Sequence, residues 1–523
     1  MNKSFYTFFV TFLILFVYSS NTKAQGLSEA MEAYENLQYD IAVKSFEKAW
    51  KKDPSNIEIN YYFGKCILRA DVDRTEAIKY LEAVIGADVN YKDASLELGK
   101  AYMYKRDFVK AQQVLNHFLK NYDFDDDDDG DDSKTNYKRE AETLLLQIES
   151  AKKVLADTLN VSFINLGPEI NSKRSEFAPF IGSDGQTLFF TSNKKYDGDL
   201  MELIKNGYYS NFSTSENPEW EKPKSMGRNV NSFENEMIVG LSKDESKVIV
   251  SVTWMDDKSD LFITSKEGKK YQELDELEKT VNSEFNEPAG SLSKSEDTLY
   301  FASNRPGGFG GFDIYIAVKL PDGTWGKPLN MGSEINTEFN ETFPIISEDS
   351  QSLNFSSDRP ESMGGYDIFT AYKKNGKCSG VQNAGYPIND AYDNYEISYS
   401  KSKRYAYASK VRPEGLGGRD IYLLVFNDIP AQNVIYTGTI MKQNGADKSL
   451  IDSDIKISAY DNTNNKKFAS SSYSKNGKYT FAFPPGEYKI VVEGSSFQKF
   501  EKIVRIAQNE PTQEIINYNI IVN

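Results

Sequence analysis

The sequence predicts a multidomain α plus β protein: an α-solenoid of helical repeats, a β-propeller of five or six blades, and a β-sandwich. Three observations predict it. A self-similarity of about 34 residues opens the chain, a longer repeat of 51 to 59 residues fills its middle, and short alternating strands follow Pro430.

The first residues come before any of these. Met1, Asn2 and Lys3 precede an apolar run from Phe8 through Val17, and Thr22-Lys23-Ala24 offers small side chains before Gln25. That pattern reads as a cleavable secretory signal over residues 1–24. A lipid anchor at the new N-terminus would need a cysteine there, and the nearest is Cys66, so a soluble exported chain beginning at Gln25 is expected. Loss of Lys3 and Lys23 moves the formal charge from −16 to −18, the wrong sign for nucleic acid or anionic lipid. Beyond the signal no run of about 20 apolar residues supplies a membrane span. Cys66 and Cys378 fall in different predicted domains, so no mutual disulfide is expected.

Residues 25–157 carry the first repeat. Tyr34, Tyr39, Ala42, Phe46, Ala49 and Pro54 follow the tetratricopeptide spacing, and Ala77 and Ala111 repeat Ala42 at intervals of 35 and 34. Small residues let paired helices approach and large ones fill the groove between them. A further amphipathic helix from Tyr137 to about Ala156 is expected to cap the array, and the concave face is a candidate groove for a partner peptide. The acidic run 123–132 precedes that helix. Asp125, Asp127 and Asp129 match the first half of a calcium loop, but the twelfth position is Asn136 where a bidentate glutamate belongs, so a solvated, self-repelling loop is the reading and no metal is expected.

Residues 158–428 carry the second repeat. An asparagine opens each unit at Asn171, Asn231, Asn282, Asn336 and Asn389, and a serine follows at Ser183, Ser242, Ser293, Ser347 and Ser400. The serines are spaced by 59, 51, 54 and 53 residues, each followed by a turn and an alternating strand. Four strands at this period make one propeller blade. A strand near Val161 to Leu166 is expected to close the ring against the last unit, and the long first interval leaves room for a sixth blade. In three units an arginine precedes an aspartate by eight residues: Arg305 and Asp313, Arg359 and Asp367, Arg412 and Asp420. Across a hairpin such partners can form a bidentate pair, so a repeated structural staple is expected, with a ring of ligand-binding groups as the alternative. Asp199 and Asp260 hold the aspartate position in the first two units, which lack the arginine.

The elements TLYFASNRP and GGFGGFDIY, with SLNFSSDRP and ESMGGYDIF, resemble the PD40 family of WD40-like propeller repeats, related to the propeller of the periplasmic protein TolB. Over residues 429–523, Gly438, Asn476-Gly477-Lys478-Tyr479 and Pro484-Pro485-Gly486-Glu487-Tyr488 resemble the carboxypeptidase-regulatory or transthyretin-like sandwich. The three modules in this order are similar to the PorE-type periplasmic subunits of type IX secretion and gliding. That resemblance implies an outer-membrane-associated assembly role. The family ends in an OmpA-like peptidoglycan-binding module, which this chain lacks, so peptidoglycan binding is not expected.

Catalysis has little to work with. His117 is the single histidine and lies on a repeat helix beside Phe118, where packing is expected rather than a Ser-His-Asp triad or a Cys-His dyad; one histidine cannot make a histidine-rich zinc site, and Ser183-Asp184-Gly185 lacks the aromatic end of a sialidase-type Asp box. The expected function is therefore non-catalytic and without cofactor: a scaffold joining envelope proteins at the inner face of the outer membrane. The alternative is a module binding a glycan or peptide at the propeller channel.

Overall fold

The computed structural model describes residues 27–522, with positions 123, 125–132, 184, 198–201, 214–218, 233, 255–256, 348, 375, 432, 445–446, 451–454, 473–476 and 508–514 outside the description. The signal segment and the calcium-loop aspartates Asp125, Asp127 and Asp129 therefore lie outside the described residues, as does Asp199.

Seven helices come first among the described residues: α1 (27–35), α2 (Tyr39–Lys52), α3 (Ile57–Arg69), α4 (Ala77–Ala87), α5 (Ala94–Tyr104), α6 (Phe108–Asn121) and α7 (Ser133–Ala156). Each packs on its chain neighbour around one core of Ala42, Phe46, Phe63, Leu81, Leu96 and Leu115. The spacing of small residues has a direct cause here. A Cβ on Gly64 would stand 2.7 Å from Leu81 Cγ, and one on Gly99 would stand 2.6 Å from Leu115 Cδ2. The repeat thus places a glycine where α4 crosses α3 and where α6 crosses α5. No helix of the described residues is long and apolar enough to cross a membrane.

Five sheets follow in sequence, each a meander of three long strands with short outer strands. The first three strands of blade one are Glu176–Ile181, Thr187–Asp197 and Glu202–Ser213, and of blade two Asn235–Leu241, Lys247–Thr253 and Ser259–Glu267. Blade three holds Gly290–Leu292, Thr298–Ser303 and Asp313–Val318; blade four holds Glu341–Ile346, Ser352–Ser357 and Asp367–Lys374. Blade five holds Ile397–Tyr399, Tyr405–Lys410 and Asp420–Phe426, and its fourth strand is Val161–Asn165 from the start of the domain, antiparallel with Val161 opposite Phe426 and Asn165 opposite Tyr422. This closing strand is the one the sequence predicts, and it joins the two ends of the ring into one sheet. The described strands form five blades. The long first interval is taken up by an extended hairpin, with strands of 11 and 12 residues in blade one.

The last unit has two sheets facing one core. One runs Lys467–Ser472, Ile455–Asp461, Gly486–Gly494, Phe500–Ile506; the other centres on Val434–Asn444, with Lys478–Phe483 and Asp447–Leu450 antiparallel to it and Ile515–Asn517 and Ile520–Val522 parallel. Val434, Ile457, Phe481, Phe483, Ile490 and Val492 meet between them. Cys66 is buried in the helical core, Cys378 is half-buried on blade four, and both are free.

Candidate functional site

The repeated residues come first, because what they do decides which groups are left for function. Each repeat asparagine reaches backward to the third strand of the preceding blade. Asn336 Oδ1 accepts from Ile314 N at 2.8 Å while its Nδ2 donates to Ile314 O at 2.9 Å, and Asn389 does the same with Ile368. Asn231 and Asn282 do so with Gly207 and Leu261, and Asn171 grips Ile421 of blade five, so this one contact recurs around the whole ring. The repeat serine closes the turn after the first strand: the backbone N–H five residues on donates to Ser242, Ser293, Ser347 and Ser400.

The expected arginine–aspartate pairing is corrected by the structure. Arg305 Nη2 pairs with Glu287 at 3.0 Å and Arg359 Nη2 with Glu341 at 2.9 Å, and each also donates to the carbonyl just before the repeat asparagine, Val281 or Ile335. Arg412 turns outward to Glu414 and lies 4.5 Å from the Phe163 ring centroid. The aspartates hold the glycine-rich turn instead. Asp313 accepts from Phe309 N and Gly310 N, Asp367 from Met363 N, and Asp420 from Leu416 N and Gly417 N. Each also takes a side-chain amide from the outer strand, Asn330, Asn383 or Asn165. The physical reason is reach: the aspartate opens its strand beside the turn it has to satisfy, whereas the arginine reaches a carboxylate 18 residues upstream, at or just before the first strand. The turn is glycine-rich because the next blade crowds it, a Cβ on Gly310 meeting Phe339 O at 1.9 Å.

The glutamate partner was missed, although the sequence carries its signal. Glu176, Glu236, Glu287 and Glu341 each stand five residues after the repeat asparagine, and all four are fully buried. Each accepts from the backbone N–H and hydroxyl of the residue after that asparagine, Ser172, Ser232, Ser283 or Thr337. Blade five has Asn394 there, and Lys410 takes over the arginine's place with Asn394, Asp390 and the Ile388 carbonyl. In blade two Val252 and Trp254 occupy the serine and arginine positions, Glu236 Oε2 is left without a partner, and burial pushes its carboxyl up to about 7. These arginines, aspartates and glutamates are thus bonded to the backbone and side chains of their own and adjoining segments.

Two surfaces remain. On one, the helical layer is docked against blades four, five and one. Arg74, ahead of α4, places Nη1 3.1 Å from Asp393 Oδ2 and 2.6 Å from the Tyr104 hydroxyl. Arg419 of blade five reaches back to Asp71 at 3.1 Å, and Ser175 donates to the same carboxylate at 2.9 Å. Both arginines are buried, and although burial alone would raise the Asp393 carboxyl, Arg74 and Arg419 hold it below the ordinary range. Along α7, Gln147 donates to Asp358 O and Ser150 to Glu361 O. Between α3 and α5, Lys65 pairs with Asp93 at 2.8 Å, and Arg69 and Lys100 reach Glu97 at 2.8 and 3.5 Å. His117 is exposed on α6 beside a cavity of about 370 Å³ lined also by Lys92, Phe118 and Tyr122.

The second surface is the opposite mouth of the propeller channel. The first strands run away from the helices, and their far ends and turns enclose a cavity of about 580 Å³. Leu241, Leu292, Ile346 and Tyr399, each just before a repeat serine, line it, as do Lys243, Lys294 and Lys401, each just after one. Among the described residues no group of three or more His, Cys, Asp or Glu is placed to hold a metal ion.

No family model matches the chain, and no curated protein matches it. Among solved structures it is similar to TolB from Acinetobacter baumannii at 12% identity, covering 50% of this chain and 56% of that chain, with a TM-score of 0.32. A putative TolB from Agrobacterium tumefaciens is 14% identical over 51% of this chain and 97% of that one, TM-score 0.28. Trypanosoma rangeli sialidase in complex with the inhibitor DANA is 10% identical over 68% and 92%, TM-score 0.33. The match thus spans about half the length of the Acinetobacter protein. The fold description rests on strand order and register, and these likenesses carry no argument for activity.

Proposed function

We propose that this protein is a non-catalytic adapter of a bacterial envelope, exported to the periplasm and held in an outer-membrane-associated secretion or assembly complex. In this reading the helices are a tetratricopeptide array and the last unit a carboxypeptidase-regulatory-like sandwich. The observation that carries it is the docking of the helical layer on the propeller through two buried arginine–aspartate pairs, Arg74 with Asp393 and Arg419 with Asp71. An array so fixed presents its outer surface, the free channel mouth and the terminal unit at set positions, as a connector requires. The sequence supports the location through its signal segment and its resemblance to type IX secretion subunits, and the net charge argues against nucleic acid. Crosslinking in intact envelopes followed by capture of the full chain tests the reading. Co-recovery of outer-membrane assembly proteins is expected, with no retention on purified sacculi; recovery of the chain alone removes the adapter role. A second reading, a module binding a glycan or peptide over the channel, is favoured by the cavity of about 580 Å³, the size range of ligand sites.

A further inference from the structure

The propeller face that carries the helices is covered over blades four, five and one, and the way it holds them recurs with the blade. In blades four and five the third residue after the repeat asparagine is an aromatic, and the helical layer rests on it. Arg139 of α7 lies over Phe339, 5.1 Å from the ring centroid, while its Nη2 donates to Glu338 O at 2.9 Å and pairs with Glu338 Oε2 at 3.2 Å. Tyr392 packs on Tyr104 of α5 with ring centroids 5.0 Å apart, and its hydroxyl accepts from Arg74 N at 3.3 Å.

Blade three repeats the pattern without a helix. Glu284 and Phe285 follow Asn282 as Glu338 and Phe339 follow Asn336. Phe285 is 38% exposed and has no ring contact, and the exposed Glu284 has no hydrogen bond or ion pair among the described residues. Two more exposed aromatics flank this loop. The turn that begins at Trp254 in blade two adjoins it through Ser259, whose N–H donates to Asn286 Oδ1 at 2.9 Å and whose carbonyl accepts from Glu287 N at 2.7 Å. The turn of blade three that bears Phe309 starts beside it, where Asn286 N donates to Asn304 Oδ1 at 2.8 Å, and ends against the occupied position, where Gly311 N donates to Phe339 O at 3.0 Å. Trp254 and Phe309 are 38% and 51% exposed. The three aromatics thus continue, blade by blade, the surface on which α7 already lies.

The charge of this stretch is negative. Its described cations are engaged in the fold, Lys258 with Asp260 and Arg305 with Glu287, whereas Glu284 and Asp257 are exposed and unpaired. A purely apolar partner would dehydrate Glu284 without a counter-charge, and a polyanion would be repelled. A helix with apolar residues and an arginine satisfies both the aromatics and the acid, as α7 does one blade further on.

We infer that blades two and three dock an α-helix of a partner protein, with one arginine laid over Phe285 and paired with Glu284 and apolar residues covering Trp254 and Phe309. This rests on the adapter reading and names the surface and the chemistry of its partner. The helical layer is thereby extended around the ring by a second protein.

The test uses the chain without its signal segment and a fluorescein-labelled peptide of the α7 sequence, residues Ser133 to Ala156, followed by fluorescence anisotropy. Saturable binding is expected. Arg139→Glu in the peptide, or Glu284→Arg in the protein, is expected to raise Kd about tenfold or more, and the two together are expected to restore it. The thermal melt of Glu284→Arg is expected to match the parent, since that side chain is exposed and unpaired. Phe285→Ser is expected to weaken binding in the same way. Absence of saturable binding overturns the inference, as does binding that both protein substitutions leave unchanged. A dimer of the chain in sedimentation equilibrium that Phe285→Ser dissolves overturns it in favour of an interface between copies. If envelope capture recovers the same partners from the parent and from Glu284→Arg with Phe285→Ser, the inference falls and the adapter reading stands; if the peptide binds as expected and capture recovers nothing, the docking site stands and the adapter reading falls.

Discussion

Blades two and four have the same strand order and differ at the base of the sheet. In blade four the Glu341 carboxylate accepts from Thr337 and Ser357 and pairs with the buried Arg359. In blade two Glu236 has the equivalent Ser232, but Val252 and Trp254 stand where Ser357 and Arg359 do, and one carboxylate oxygen is left bare. The backbone and hydroxyl donors of the loop are therefore what place the acid, and the arginine is an addition that supplies a counter-charge. In blade two, where the addition is missing, burial pushes the Glu236 carboxyl up to about 7.

The comparison breaks hardest at Arg359. Its replacement by alanine leaves Glu341 buried without a counter-charge, and stability is expected to fall by about 3 to 5 kcal/mol in thermal or urea melts. A melt unchanged from the parent would show that the pair contributes nothing and that blade two's arrangement is no weaker. Next in size is Asn336→Ala, which removes a paired donor and acceptor linking blades three and four and leaves Ile314 N unmatched, Ile314 O keeping the Met331 N–H. Roughly 2 to 3 kcal/mol is expected in the same melts, and an equal effect at Asn231 would mark the contact as the common fastening of the ring.

Blade two sharpens the contrast through pH. Glu236 has a folded-state pKa raised from 4.5 to about 7, so the native state holds an extra proton between these values. The stability this gives is full below about pH 4.5 and is lost as pH rises through about 7. Glu236→Gln is therefore expected to be more stable than the parent by roughly 1 to 2 kcal/mol at about pH 8 and indistinguishable near pH 4, checked by melts across that range. The smallest effect is expected from transplanting blade four's residues, Val252→Ser with Trp254→Arg. This should restore the missing partners and flatten the pH dependence, with a gain of about 1 kcal/mol at about pH 8, since Trp254 also surrenders its packing on Phe262.

Much of the architecture was legible because it is written as period. The spacing of Ala42, Ala77 and Ala111 reported helix pairs, and the asparagines and serines reported five sheets closed by the strand at Val161. The candidate site was legible in part. The recurrence of Arg305 and Arg359 marked groups of structural weight, yet their partners were misassigned, because sequence distance across a hairpin does not say which way a long side chain bends. The aspartates eight residues on face a turn rich in unsatisfied N–H groups, while the glutamates that attract the arginines lie 18 residues upstream.

By itself, then, the sequence determined the two repeat periods and their order along the chain, with five or six blades open, since periodicity is a property of the chain alone. The tertiary structure decided what each repeated polar residue holds, that Lys65 and Arg69 of one helix pair with Asp93 and Glu97 of another, and that one propeller face is covered through Arg74 and Arg419. It also decided that Lys243, Lys294 and Lys401, about 50 to 160 residues apart in the chain, share one rim. Such convergence depends on ring closure, which brings equivalent positions of successive blades around one axis and so turns a repeat along the chain into a site in space.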